Sequence, residues 1–125
     1  ESEILLLAVG SMVKTALTVR ERLKEKGYSC SLVNARFVKP FDEELLLKLQ
    51  KNHKLLVTLE ENVQSGGFGE HVLEFMNTSG DGSMEVLNIA IPDVYVEHGN
   101  VELLRKETGI DADGIIGKII DRKAQ

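Results

Sequence analysis

Residues 4–9 read Ile-Leu-Leu-Leu-Ala-Val, an apolar run with no polar position in it, and nothing else narrows the possible folds as much. A strand with one wet face alternates, so a run that is apolar throughout has to be covered on both faces, as strands of parallel sheets are. Gly10-Ser11 ends the run. Met12, Ala16, Val19 and Leu23 then recur at helical spacing with Lys14, Arg20, Glu21 and Lys24 between them, which predicts an amphipathic helix with Ser11 as its N-cap and Gly27 as its stop.

The same alternation continues. Cys30 to Val38 reads as a second strand, and Pro40 followed by Asp42 opens a helix with Leu45, Leu46 and Leu49 as its apolar stripe. Leu55 to Leu59 is a third strand, and Glu60 to Gly67 a polar, glycine-containing loop. A helix with Phe68, Val72, Phe75 and Met76 on one side follows. The segment Thr78-Ser79-Gly80-Asp81-Gly82-Ser83 is a surface turn, and Val86 to Ile91 is a fourth strand stopped by Pro92. A short helix over about Asn100 to Glu107, ended by Gly109, and a last one from near Asp111 with Ile115, Ile116, Ile119 and Ile120 on one face complete the pattern. The expectation is α/β: one domain over residues 1–125, a three-layer α/β/α sandwich on a small, mostly parallel sheet. Periodicity leaves the strand order and the direction of the edge strands open.

Composition excludes some partners. With 20 acidic against 15 basic residues the net charge is −5, which gives no basic footprint for nucleic acid or an anionic membrane surface. No apolar run reaches the roughly 20 residues needed to cross a bilayer. Cys30 is the only cysteine, so no internal disulfide can form, and in a strand it reads as a small buried hydrophobe. This fits a reducing cytoplasm. The first residue is Glu rather than Met and strand-forming residues arrive at once, so the chain is expected to have been cut from something longer.

Several residues invite a chemical reading. Ligands of open α/β sheets gather beyond the carboxyl ends of the strands, where Glu60-Glu61-Asn62 and Ser65-Gly66-Gly67-Phe68-Gly69 fall. Glycines and a following helix N-terminus suit a phosphate, but the two carboxylates would repel it. Neither GxxxxGK[ST] nor a true GxGxxG is present, so the glycines are read as shaping the chain. Nothing in the sequence points to the shared pocket that would make Glu60 and Glu61 an acid–base pair. His53, His71 and His98 have no companions at metal-ligand spacing, and His53, near a helix end, suits the dipole there. His98, beside Glu97 after the fourth strand, is open to two readings, a contact with a neighbouring domain or a solvated loop. Arg36 and Lys39 are matched by Asp42, Glu43 and Glu44, so local ion pairing is their default.

The segment VNARFVKPFDEELLLKLQKNHKLLVTLEENVQSGGFG at 33–69, with LLAVGSMV at 6–13 and IPDVYVEHG at 91–99, resembles the C-terminal domain of 1-deoxy-D-xylulose-5-phosphate synthases, thiamine-diphosphate enzymes of the transketolase superfamily. The resemblance covers nearly the whole chain in order and implies some antiparallel mixing in the sheet. It also implies a non-catalytic part of a transferase that joins pyruvate and glyceraldehyde 3-phosphate with loss of carbon dioxide, supplying isoprenoid, thiamine and pyridoxal phosphate synthesis. Thiamine diphosphate and its magnesium ion would belong to two preceding domains, leaving this chain no catalytic, cofactor or metal residues. Its work would be packing on those domains and assembly of a cytoplasmic homodimer. Glu60, Glu61, Asn62, Gly66, Gly67, Phe68, Gly69, Glu97 and His98 are the interface candidates, with loop stabilisation the other role open to the first group. Gly80-Asp81-Gly82 lacks the setting of a thiamine-diphosphate motif. Alternatives are the C-terminal domain of a transketolase or of a pyruvate dehydrogenase beta subunit, and a stand-alone flavodoxin-like module that binds phosphate.

Overall fold

The computed structural model describes residues 3–10, 12–35, 43–61, 67–91 and 112–123. Four strands, β1 (Ile4–Val9), β2 (Cys30–Ala35), β3 (Leu55–Glu61) and β4 (Glu85–Ile91), form one sheet in the order β2-β1-β3-β4. Every pairing among them is parallel, with Ile4 in register with both Cys30 and Leu55, and Leu55 with Glu85. The antiparallel mixing implied by the resemblance is not found in these strands. The expected extension of β2 to Val38, with Arg36 and Lys39, lies outside the described residues, as do Ser11 and the helix expected over 100–107.

The helices are α1 (Met12–Glu25), α2 (Glu43–Leu49), α3 (Phe68–Ser79) and α4 (Ala112–Lys123). Strand side chains alternate between two faces, and the two cores divide accordingly. Ile4, Leu6, Ala8, Leu55, Val57, Leu59 and Ile89 pack with Met12, Ala16, Val19 and Leu23 of α1 and Ile115, Ile116 and Ile119 of α4. Leu5, Leu7 and Leu56 face the other way, against Leu46 of α2 and Phe68, Val72 and Met76 of α3. The apolar run at 4–9 is therefore buried on both sides because it fills the inside of the sheet, and the result is a three-layer α/β/α sandwich.

Residue 3 ties the start of β1 to both neighbouring strands. Its N–H donates to the Ser29 carbonyl at 3.1 Å, and its own carbonyl accepts from the N–H groups of Lys54 at 2.8 Å and Leu55 at 3.3 Å. Its carboxylate pairs with Lys123 Nζ on α4. Arg22 of α1 and Asp113 of α4 pair across the same layer.

The sequence expectation needs one correction. β3 does not stop at Leu59 but continues through Glu60 and Glu61, in register with Ala90 and Ile91 of β4. A glutamate suits a buried strand poorly, so polarity suggested a loop. What keeps Glu60 in the strand is its side-chain partnership.

Candidate functional site

The strand order reverses direction at β1, and α1 and α3, which follow the adjacent strands β1 and β3, cover opposite faces of the sheet. This is the switch point at which doubly wound sheets place their ligands. The residues at the β3 side of it are Glu60 and the first turn of α3.

Period 2 puts Thr58 and Glu60 on the α3 face of β3, and Asn88 on the same face of β4. Thr58 is in register with Asn88, and its hydroxyl donates to Asn88 Oδ1 at 2.7 Å. Glu60 is only 2% exposed. The Phe68 N–H donates to its Oε1 at 2.9 Å, and the Gly69 N–H donates to its Oε2. Helix starts are usually closed by the side chain of the N-cap residue itself. Here the N-cap is Gly67, at φ 86°, which has none, and Glu60 supplies the missing acceptor from the neighbouring strand.

Gly69 makes this approach possible. A Cβ at position 69 would lie 2.6 Å from Glu60 Oε2, 2.8 Å from Thr58 Oγ1 and 2.9 Å from Asn88 Cγ. The absence of a side chain lets the helix backbone sit directly on the strand residues. Phe68 then turns into the α2/α3 core, where it is fully buried.

Of the residues proposed from sequence for this end of the sheet, Glu60, Gly67, Phe68 and Gly69 thus form one structure, and Glu61 closes β3. Glu60, Phe68 and Gly69 are buried within this chain, so what they offer a neighbour is the backbone they hold in place. Asn62, Gly66, Glu97 and His98 lie outside the described residues. Thr58 and Asn88 were missed by the sequence reading. Their only signal was a polar residue inside each of two apolar strands.

His53 and Cys30 have structural settings. His53 is buried, with Nδ1 2.8 Å from the Leu49 carbonyl oxygen and Nε2 3.0 Å from Ser31 Oγ. A carbonyl only accepts, so Nδ1 carries a proton and donates to the end of α2, while Nε2 is hydrogen-bonded with the Ser31 hydroxyl. Burial pushes the Cys30 thiol up to about 11, which removes it as a nucleophile at neutral pH. Among the described residues, no three of His, Cys, Asp and Glu are grouped to hold a metal ion, and no helix is long and apolar enough to cross a membrane. The described residues do not fit thiamine diphosphate: the helix N-terminus that would suit its phosphates already holds the Glu60 carboxylate, and among the described residues no carboxylate cluster stands ready for magnesium.

Comparison with known proteins adds the following. A family model described as the C-terminal domain of transketolase matches residues 1–115. A 1-deoxy-D-xylulose-5-phosphate synthase of Lachnoclostridium phytofermentans is 51% identical over 119 residues, covering 95% of this chain and 19% of the relative. The synthase of the same name from Dehalococcoides mccartyi is 44% identical, over 98% of this chain and 19% of its own length. The chain therefore spans about a fifth of the relatives it matches. Among solved structures, one described as a split gene transketolase, inactive beta4 tetramer, superimposes with a TM-score of 0.81 at 24% identity, over 96% of this chain and 39% of that one. A transketolase from Campylobacter jejuni gives 0.57 at 18% identity, over 97% and 17%. At these identities the structural likeness is one of fold.

Proposed function

This chain belongs to the transketolase C-terminal domain family, and from that membership we propose that residues 1–125 are one non-catalytic domain of a 1-deoxy-D-xylulose-5-phosphate synthase. The observation that carries the reading is the 51% identity along 95% of the chain to a protein of that name, five times as long. The whole enzyme would be a cytoplasmic homodimer that joins pyruvate and glyceraldehyde 3-phosphate with loss of carbon dioxide, for isoprenoid, thiamine and pyridoxal phosphate synthesis. Thiamine diphosphate and magnesium would sit in its preceding domains, since the residues described here do not fit them.

In this chain the work is packing and assembly. The chemistry at the switch point supports that division, because the buried Glu60 carboxylate accepts from the backbone N–H groups at the start of α3. Glu61, Asn62, Gly66 and Gly67, with Glu97 and His98, are the proposed contacts with the preceding domains or the second subunit, and Glu60, Phe68 and Gly69 the scaffold that holds the start of α3. The transketolase and pyruvate dehydrogenase alternatives have less support, because the Lachnoclostridium and Dehalococcoides relatives carry the synthase name while the transketolase structures match at 24% and 18% identity, and the Glu60 carboxylate at the start of α3 weighs against the phosphate-binding module.

Deleting these residues from the full-length enzyme tests the proposal. Light scattering should then report a lower mass across concentration and pyruvate turnover should fall, while the 125-residue chain alone should turn over no pyruvate. Turnover by the isolated chain, or an unaltered dimer and rate in the deletion, would refute it.

A further inference from the structure

We propose that Glu60 is a ligand the chain supplies to itself: its carboxylate fills the anion site that this sheet topology forms at the start of α3, and so keeps phosphate-bearing molecules off the domain. The inference is independent of the assembly reading. α3 follows β3 at the switch point, where a helix N-terminus offers unpaired N–H groups and the positive end of its dipole to an anion. Two N–H groups of the first turn, those of Phe68 and Gly69, are directed at the two oxygens of one carboxylate.

The surroundings are those of a bound anion and not of a surface cap. Glu60 is 2% exposed and reaches α3 from the adjacent strand, eight residues before Phe68. Gly67 contributes no capping side chain, and Gly69 leaves the space for the oxygen that a Cβ would take at 2.6 Å. In a phosphate-binding loop, glycines at such positions admit a phosphate oxygen. Here they admit a carboxylate oxygen delivered by β3.

The Glu60 arm defines the test. Glu60→Ala removes one methylene and the carboxylate, a fragment with the size and charge of acetate. The full 125-residue chain, wild type and variant, is followed by the amide resonances of Phe68 and Gly69 and by Tm while acetate, inorganic phosphate or chloride is added at matched ionic strength. The wild type should give no saturable response to any of them. Glu60→Ala should melt roughly 5–10 °C lower, and acetate but not chloride should return both amide resonances toward their wild-type positions and raise Tm with saturation. A folded Glu60→Ala chain without an acetate-specific response overturns the proposal, and so does saturable phosphate binding at these two amides in the wild type.

Glu60→Gln is measured alongside in case the alanine variant does not fold. It keeps the length of the side chain but turns an N–H donor toward one of the two backbone donors. One of the two amides should then lose about tenfold of its hydrogen-exchange protection. Unchanged protection at both would equally defeat the idea.

Discussion

Position 69 is limited to glycine by its neighbours and not by its backbone angles. A methyl group there meets Glu60 Oε2, Thr58 Oγ1 and Asn88 Cγ, all within 2.9 Å, and each belongs to a side chain that is already hydrogen-bonded. None can yield without breaking a bond, so Gly69→Ala should cost about 2–3 kcal/mol, combining overpacking with a weakened Glu60 contact. Urea unfolding would measure it, and a loss under about 0.5 kcal/mol would mean that α3 slides aside freely. The lack of a phosphate motif pointed to glycines that shape the chain, and Gly67 and Gly69 have such a setting in the structure. It did not show what Glu60 does. A carboxylate whose partners are the backbone N–H groups of residues 68 and 69 leaves no trace in residue types, because any sequence supplies N–H groups.

α2 has only seven residues, too few to hold as an isolated helix, so its ends have to be tied to the rest of the protein. His53 does this at the C-terminal end, donating to the Leu49 carbonyl while its other nitrogen meets Ser31 of β2. Removing the ring in His53→Ala leaves both partners to find water at a buried site. A loss of about 1–2 kcal/mol is expected, together with hydrogen exchange that quickens in α2 before α1 or α4. Uniform quickening in all helices would show that His53 acts on global stability alone. The apolar stripes of the helices were legible, because a spacing of three and four marks one face. The strand order was not. Alternation says which face a side chain takes but not which strand lies beside it, and only pairing placed β1 between β2 and β3.

Across the whole molecule, the first and last described elements are joined by charge. The Glu3 carboxyl is held below its ordinary 4.5, first by the hydrogen bond from Lys123 and then by the attraction of Lys123 and Lys54, with burial opposing. A group whose value is lower in the folded state binds fewer protons there than in the unfolded chain. Its contribution is therefore full above 4.5 and is lost as pH falls through and below that value. Lys123→Met should flatten the decline of Tm over about pH 3–5 and lower Tm near neutrality by the matching amount, a small one because the pair is partly exposed. An unaltered acid slope would place the effect elsewhere. Asp81, lowered by its bonds to Ser83, adds a slope of the same sign that the variant retains.

The position of β1 also bears on how quickly the molecule can form. The first strand is central, and residue 4 has to find residues 30 and 55, while residue 55 has to find residue 85. Among the described strands no tight hairpin offers a cheap first pairing, so each of these pairings closes a long loop before any ladder bond repays it. Within this segment β1 is made before its partners and waits, apolar on both sides, for them and for the isoleucines of α4. That interval is when the chain is most exposed to aggregation, which makes the speed of its completion as much a property of this topology as its final stability.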